Sequence, residues 1–130
     1  MDLKALMEEA AKAREKAYVP YSRFAVGAAV LGGSGKVYPG CNVENASYGL
    51  SICAERTAVA KAVSEGEREI KAVAVVADVP GFCSPCGACR QVLAEFGPRM
   101  PVIMGNTRGE YKVRDLNELL PEAFNLEDVN

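Results

Sequence analysis

The sequence contains no histidine. Any proton transfer it performs near neutral pH must therefore fall to a carboxylate, a metal-bound hydroxide or a less suitable group. It also lacks an uninterrupted apolar run approaching the ~20 residues that a membrane-spanning helix needs, and its N-terminus reads as charged and helical rather than signal-like. A cationic excess is missing too: 15 Lys and Arg stand against 17 Asp and Glu, a net charge of −2. Phosphate backbones are held by clustered basic residues, so a polynucleotide substrate is disfavoured. There is no internal repeat, linker or low-complexity stretch. A disulfide framework does not fit either, because the five cysteines are odd in number and carry C-x-x-C spacing. That pattern suits a metal and a reducing compartment, and the expected location is the cytoplasm.

What is present is ordinary for a soluble globular chain: 49% apolar and 25% charged residues over 130 positions. This length allows one hydrophobic core and not two, so residues 1–130 are expected to form a single catalytic domain. Asp2 can cap a first helix with Leu3, Leu6, Met7, Ala10 and Ala17 at helical spacing, stopped by Pro20. Arg23 to Leu31 and Lys36 to Cys41 flank a Gly32-Gly33-Ser34-Gly35 turn and predict an antiparallel hairpin. Residues 53–64 form an Ala-rich helix too uniformly small for one buried stripe, and residues 70–77 a strand covered on both faces. Further elements follow at 87–96 (helix), 101–104 and 111–113 (strands) and 116–120 (helix). The order α-β-β-α-β-α-β-β-α implies an α/β fold. It should be a three-layer α/β/α sandwich on a mixed five-stranded sheet, the later strands joined by right-handed crossovers.

Two short stretches carry the chemistry: Cys53-Ala54-Glu55-Arg56 and Pro85-Cys86-Gly87-Ala88-Cys89-Arg90, each opening a helix. Cys86 and Cys89, three apart on a first turn, share one face at chelating distance, and Cys53 supplies a third thiolate from the other helix. Three protein ligands leave one coordination position for water, which distinguishes a catalytic zinc from a structural one. The bland readings are core thiols, a closed four-cysteine site completed by Cys83 or Cys41, or the start of an iron–sulfur run. The last asks for a further cysteine before a proline, and residues 90–100 contain none. Glu55, two residues from a ligand, could reach the metal-bound water; alone it would pass for a solvated carboxylate at the positive end of a helix. Arg56 lies on the face of Cys53 and could donate to its sulfur, offsetting the charge of three thiolates; its bland reading is a surface ion pair. A Cys or His, a non-ligand Glu two residues on, and then Pro-Cys-x-x-Cys is the pattern of zinc-dependent nucleobase deaminases.

The chain resembles the small, homotetrameric, three-cysteine cytidine deaminases. The likeness spans nearly its whole length through Phe24-Ala25-Val26-Gly27-Ala28-Ala29, residues 40–49 (Gly-Cys-Asn-Val-Glu-Asn-Ala-Ser-Tyr-Gly), residues 53–58, residues 84–91 and Leu120-Pro121-Glu122-Ala123-Phe124. It implies one Zn2+ per chain on Cys53, Cys86 and Cys89, with Glu55 as acid–base and Arg56 compensating the thiolate charge. It further implies Phe24 on the pyrimidine ring and Asn42 and Glu44 on the sugar. Ala46 would join the substrate pocket, while the backbones of Ala54 and Ser84-Pro85 would hold the base edge. Tyr48 and Phe124 would complete a neighbouring subunit's site in a homotetramer, with Gln91 supporting a subunit contact or the site wall. The implied reaction is deamination of cytidine and deoxycytidine in pyrimidine salvage. A blasticidin-type deaminase and a non-catalytic zinc-binding module are the alternatives.

Overall fold

Leu6, Met7 and Ala10 recur at helical spacing and are buried together, so helix α1 (Leu3–Arg14) lays one face on a sheet. Asp2 accepts from the Lys4 backbone N–H and caps it. The computed structural model describes residues 2–128. The sheet has five strands, β1 (Val26–Gly32), β2 (Val37–Cys41), β3 (Ile70–Ala77), β4 (Pro101–Asn106) and β5 (Tyr111–Asp115), in the order β2-β1-β3-β4-β5. On its other face lie α2 (Ala54–Ser64), α3 (Gly87–Phe96) and the one-turn α4 (Leu116–Leu119).

The alternation of β3 divides the core. Ala72, Ala74 and Val76 pack with Leu6, Met7, Ala10, Ala29 and Ile103 on the α1 side. Val73, Val75 and Ala77 pack with Ala54, Ala58, Ala62 and Leu93 on the α2–α3 side. Helices thus cover both faces and the three-layer α/β/α sandwich is present, which explains why β3 reads as a continuous apolar run.

Small residues set how closely the helices approach. A Cβ on Gly27 would lie 1.9 Å from the Ala10 carbonyl oxygen, and one on Gly40 would lie 2.5 Å from Ala58 N and 2.8 Å from Ala54 O. The backbone of α2 therefore rests directly on β2 at the turn that carries Glu55. Gly40→Ala should force α2 outward, costing about 1–3 kcal/mol of stability and loosening the metal centre. A denaturant midpoint equal to the parent's would contradict this.

Three expectations need correction. The β3–β4 pair is parallel with α3 between its strands, but β4 and β5 form an antiparallel hairpin, Pro101 facing Asp115. The turn 107–110 is too short for a crossover, and Gly109 adopts a left-handed φ of +87° to close it. The strand placed from Arg23 begins at Val26, because Arg23 itself has φ +61° and breaks the extended run. Helix α1 ends at Arg14, well before Pro20, so Ala17 lies outside it.

Candidate active site

Cys53 and Cys86 are the N-cap residues of α2 and α3, both with extended backbone and neither using its side chain as a cap. Their sulfurs turn toward each other instead. Cys53 Sγ lies 3.9 Å from Cys86 Sγ, and Cys86 Sγ lies 3.4 Å from Cys89 Sγ. All three sulfurs fall within 4.8 Å of one another, and Cys89 is fully buried on the first turn of α3. A tetrahedral zinc with Zn–S of about 2.3 Å needs sulfurs roughly 3.8 Å apart. The three thiols therefore fit one zinc ion per chain. Neither Cys41 nor Cys83 joins this group among the described residues, which removes the closed four-sulfur and iron–sulfur readings. Burial pushes the Cys83 thiol up to about 11, consistent with an inert side chain.

Thiol crowding is visible in the protonation preferences. Burial, the Glu55 charge and the neighbouring thiols hold Cys89 protonated well above the usual range. At Cys86 burial works the same way, but the Cys89 backbone N–H and the adjacent thiols outweigh it and lower its pKa. A dication placed among the sulfurs would offset both the burial and the neighbouring negative charge that keep Cys89 protonated. Arg56 NH2 sits 3.7 Å from Cys53 Sγ, as its position on the same face of α2 predicts. Its Nε is the one buried side-chain nitrogen or oxygen without a hydrogen-bond partner among the described residues.

Glu55 follows Ala54 on the first turn of α2 and is 4% exposed. Burial raises its pKa, opposed in part by its own backbone N–H, the Cys89 thiol and the Arg56 charge. Burial of this carboxyl beside the sulfurs thus favours its protonated form over the charged one.

Asn42 and Glu44 both face the 21–26 segment. Asn42 Nδ2 donates to Phe24 O at 2.8 Å, and its Oδ1 accepts from Val26 N at 2.9 Å. Glu44 Oε1 accepts from the backbone N–H groups of Tyr21 and Ser22 at 3.0 and 3.1 Å, and Oε2 accepts from the Ser22 hydroxyl. The Ser22 hydroxyl, with the two backbone donors, holds the Glu44 pKa below the ordinary carboxylate range despite some burial. Ser22 is a partner that sequence reasoning missed, since nothing local marks it. Ala46 and Tyr48 are exposed, and Tyr48 lines a cleft of about 330 Å³ with Tyr21, Ser22, Glu44 and Ser51. Ala54 is buried at the start of α2, and the Ser84 hydroxyl accepts from Arg90 NH2 at 2.9 Å. Phe24 is 44% exposed and Phe124 63%. Phe124 does not stand with the sulfurs: it lines a cleft with Glu95, Arg99 and Asn117 beside the C-terminal half of α3, its carbonyl held by Gln91 Nε2 at 3.1 Å.

With three thiols converging and, among the described residues, no fourth protein sulfur in the cluster, the site leaves one coordination position open, as catalytic zinc centres do, and the class is that of α/β/α proteins with a three-cysteine zinc site. Comparison with known proteins narrows this. Residues 1–105 match the family described as the cytidine and deoxycytidylate deaminase zinc-binding region. The chain is 55% identical over 131 residues to a cytidine deaminase of Sporosarcina psychrophila, covering 100% of this chain and 96% of that protein. The crystal structure of cytidine deaminase from Burkholderia pseudomallei is similar with a TM-score of 0.92 and 53% identity, over 95% of this chain and 100% of that one. That of cytidine deaminase from Mycobacterium tuberculosis gives 0.82 and 45%, over 96% and 98%. The chain belongs to the cytidine deaminase family.

Proposed function

We propose that this protein hydrolyses cytidine and deoxycytidine to uridine and deoxyuridine with release of ammonia. The observation that carries the reading is the buried Glu55 carboxyl on the first turn of α2, one residue beyond Ala54 and two from the sulfur cluster. Cys53, Cys86 and Cys89 would hold the zinc, which when bound supplies Lewis-acid activation of water at neutral pH. Glu55 takes one proton from the attacking water and delivers it to N3 of the pyrimidine as the oxygen adds to C4. It then takes the remaining proton from the C4 hydroxyl and gives it to the amino group, so that the C4–N bond breaks, ammonia leaves and the C4 carbonyl forms. Arg56 disperses the negative charge of the sulfurs through its contact with Cys53.

Phe24 packs on the base. The Ala54 backbone and the Ser84–Pro85 segment hold the base edge. Asn42 and Glu44 bind the sugar, Asn42 with its second amide hydrogen and second lone pair, since one of each is already engaged. Ala46 and Tyr48 extend the pocket wall. A homotetramer with composite sites is supported by large apolar side chains left in solvent, Tyr48 at 76%, Leu50 at 71% and Phe124 at 63% exposure. The activity would serve pyrimidine salvage in the cytoplasm; no described helix is long and apolar enough to cross a membrane.

The test is a substrate panel followed at the absorbance of cytosine. Cytidine and deoxycytidine should be turned over, and cytidine 5′-monophosphate far more poorly, because the sequence offers no arginine cluster or glycine-rich cradle for a phosphate. Equal turnover of the nucleotide would overturn the nucleoside assignment. Preference for blasticidin would move the protein to the neighbouring specificity.

A further inference from the structure

The loop that delivers Cys86 is held by an arginine to which nothing above assigns a part. Between β3 and α3 the chain runs through residues 78–86 without regular structure, yet it must place a metal ligand and the proposed base-edge wall together. Arg90, one turn into α3, spends the three arms of its guanidinium on this problem. Its Nε donates to Pro85 O at 2.8 Å, NH2 donates to Ser84 Oγ at 2.9 Å, and NH1 donates to Leu119 O at 2.8 Å. Leu119 is the last residue of α4, where a backbone carbonyl has no helical partner and a cation is favoured. Pro85 is fully buried, so its carbonyl would be costly to leave unpaired. The next residue, Gln91, ties the Phe124 carbonyl to the same helix.

We propose that Arg90 is a positioning residue for the deamination. Its planar fork locks the Ser84–Pro85 wall against the C-terminal end of α4, so that the base edge and the ligands Cys86 and Cys89 keep a fixed relation on one turn of α3. The proposal rests on the deaminase reading above. Three donors in one rigid plane define both the distance and the orientation of the segments they join, which a flexible ammonium cannot do. The effect belongs in turnover: a misplacement of about 1 Å at the reacting centre can cost roughly a hundredfold.

The experiment compares Arg90→Ala and Arg90→Lys with the parent in kcat and KM for cytidine and deoxycytidine, in zinc content, and in the rate of zinc transfer to a chromogenic chelator. Arg90→Ala should keep one zinc per chain and lose roughly ten- to a hundredfold in kcat. The loss should be the same for both nucleosides, because the sugar contacts are untouched. Guanidinium at low millimolar concentration should restore part of it, and zinc should pass to the chelator several-fold faster than from the parent. Should Arg90→Ala not fold, Arg90→Lys retains the charge without the fork and should still lose most of kcat. Parental kcat in either folded variant would overturn the proposal. So would a loss that guanidinium leaves unchanged and that a lower folded fraction accounts for. A parent that does not deaminate cytidine would refute the activity instead, and chelator transfer would still decide whether Arg90 braces the metal loop.

Discussion

Glu55→Gln is expected to leave a folded protein with one zinc per chain that turns cytidine over at least roughly a hundredfold more slowly than the parent, within the range for a lost acid–base group. The amide fills the space of the carboxyl, so packing on the first turn of α2 is preserved. What disappears is the capacity to carry a proton. No histidine exists anywhere in the chain to take over, and the nearest other ionisable side chains are the thiols and Arg56, committed to the metal centre. Steady-state turnover with metal analysis checks the result; activity within a few-fold of the parent would show that another group moves the protons. The same variant probes assembly. Mixed with Phe124→Ala under conditions that exchange subunits, it should regain some activity if Glu55 of one chain and Phe124 of another build one site. Recovery no greater than the sum of the parents, with exchange proven, would confine Phe124 to its own chain or exclude it from the site.

Cys89→Ala should have the largest effect of all, loss of zinc together with loss of measurable turnover. Cys89 is the fully buried member of the three and is 3.4 Å from Cys86. Removing it leaves two thiols on two different helices with no shared third donor, and metal affinity falls steeply when a site loses one of three ligands. Stability should fall as well, because the α2 and α3 N-termini lose the ion that joins them and the core gains a small void. Elemental analysis and a thermal melt in the presence and absence of added zinc measure both effects. Stoichiometric zinc in the variant would mean that Cys89 is not a ligand. Iron with sulfide in the parent would overturn the zinc centre itself.

How much of this was written locally can be judged residue by residue. Cys53, Glu55 and Arg56, and Cys86 and Cys89, fall on the caps and first turns of two helices, where spacing alone dictates which side chains share a face. The apolar run of β3 likewise announced a strand covered on both sides. Local order also settled that the fold is α/β, since helix and strand periodicities alternate along the chain. The β4–β5 connection is not legible locally, because a strand's period says nothing of its partner; only the short turn at 107–110 and the register Pro101–Asp115 decide that it is a hairpin and not a crossover. Asn42 and Glu44 were recognised as a pair, but their partners Phe24, Val26, Tyr21 and Ser22 lie 16 to 23 residues away in sequence. Arg90 reaches Leu119 across 29 residues. The sequence by itself determined the three thiols and the carboxyl placed beside them, because a helix's first turn is fixed by nearest neighbours. The tertiary structure alone decided that the two donor sets meet, and which loops and helix ends hold them, because contacts between distant segments depend on sheet order and on how closely Gly27 and Gly40 let the helices approach.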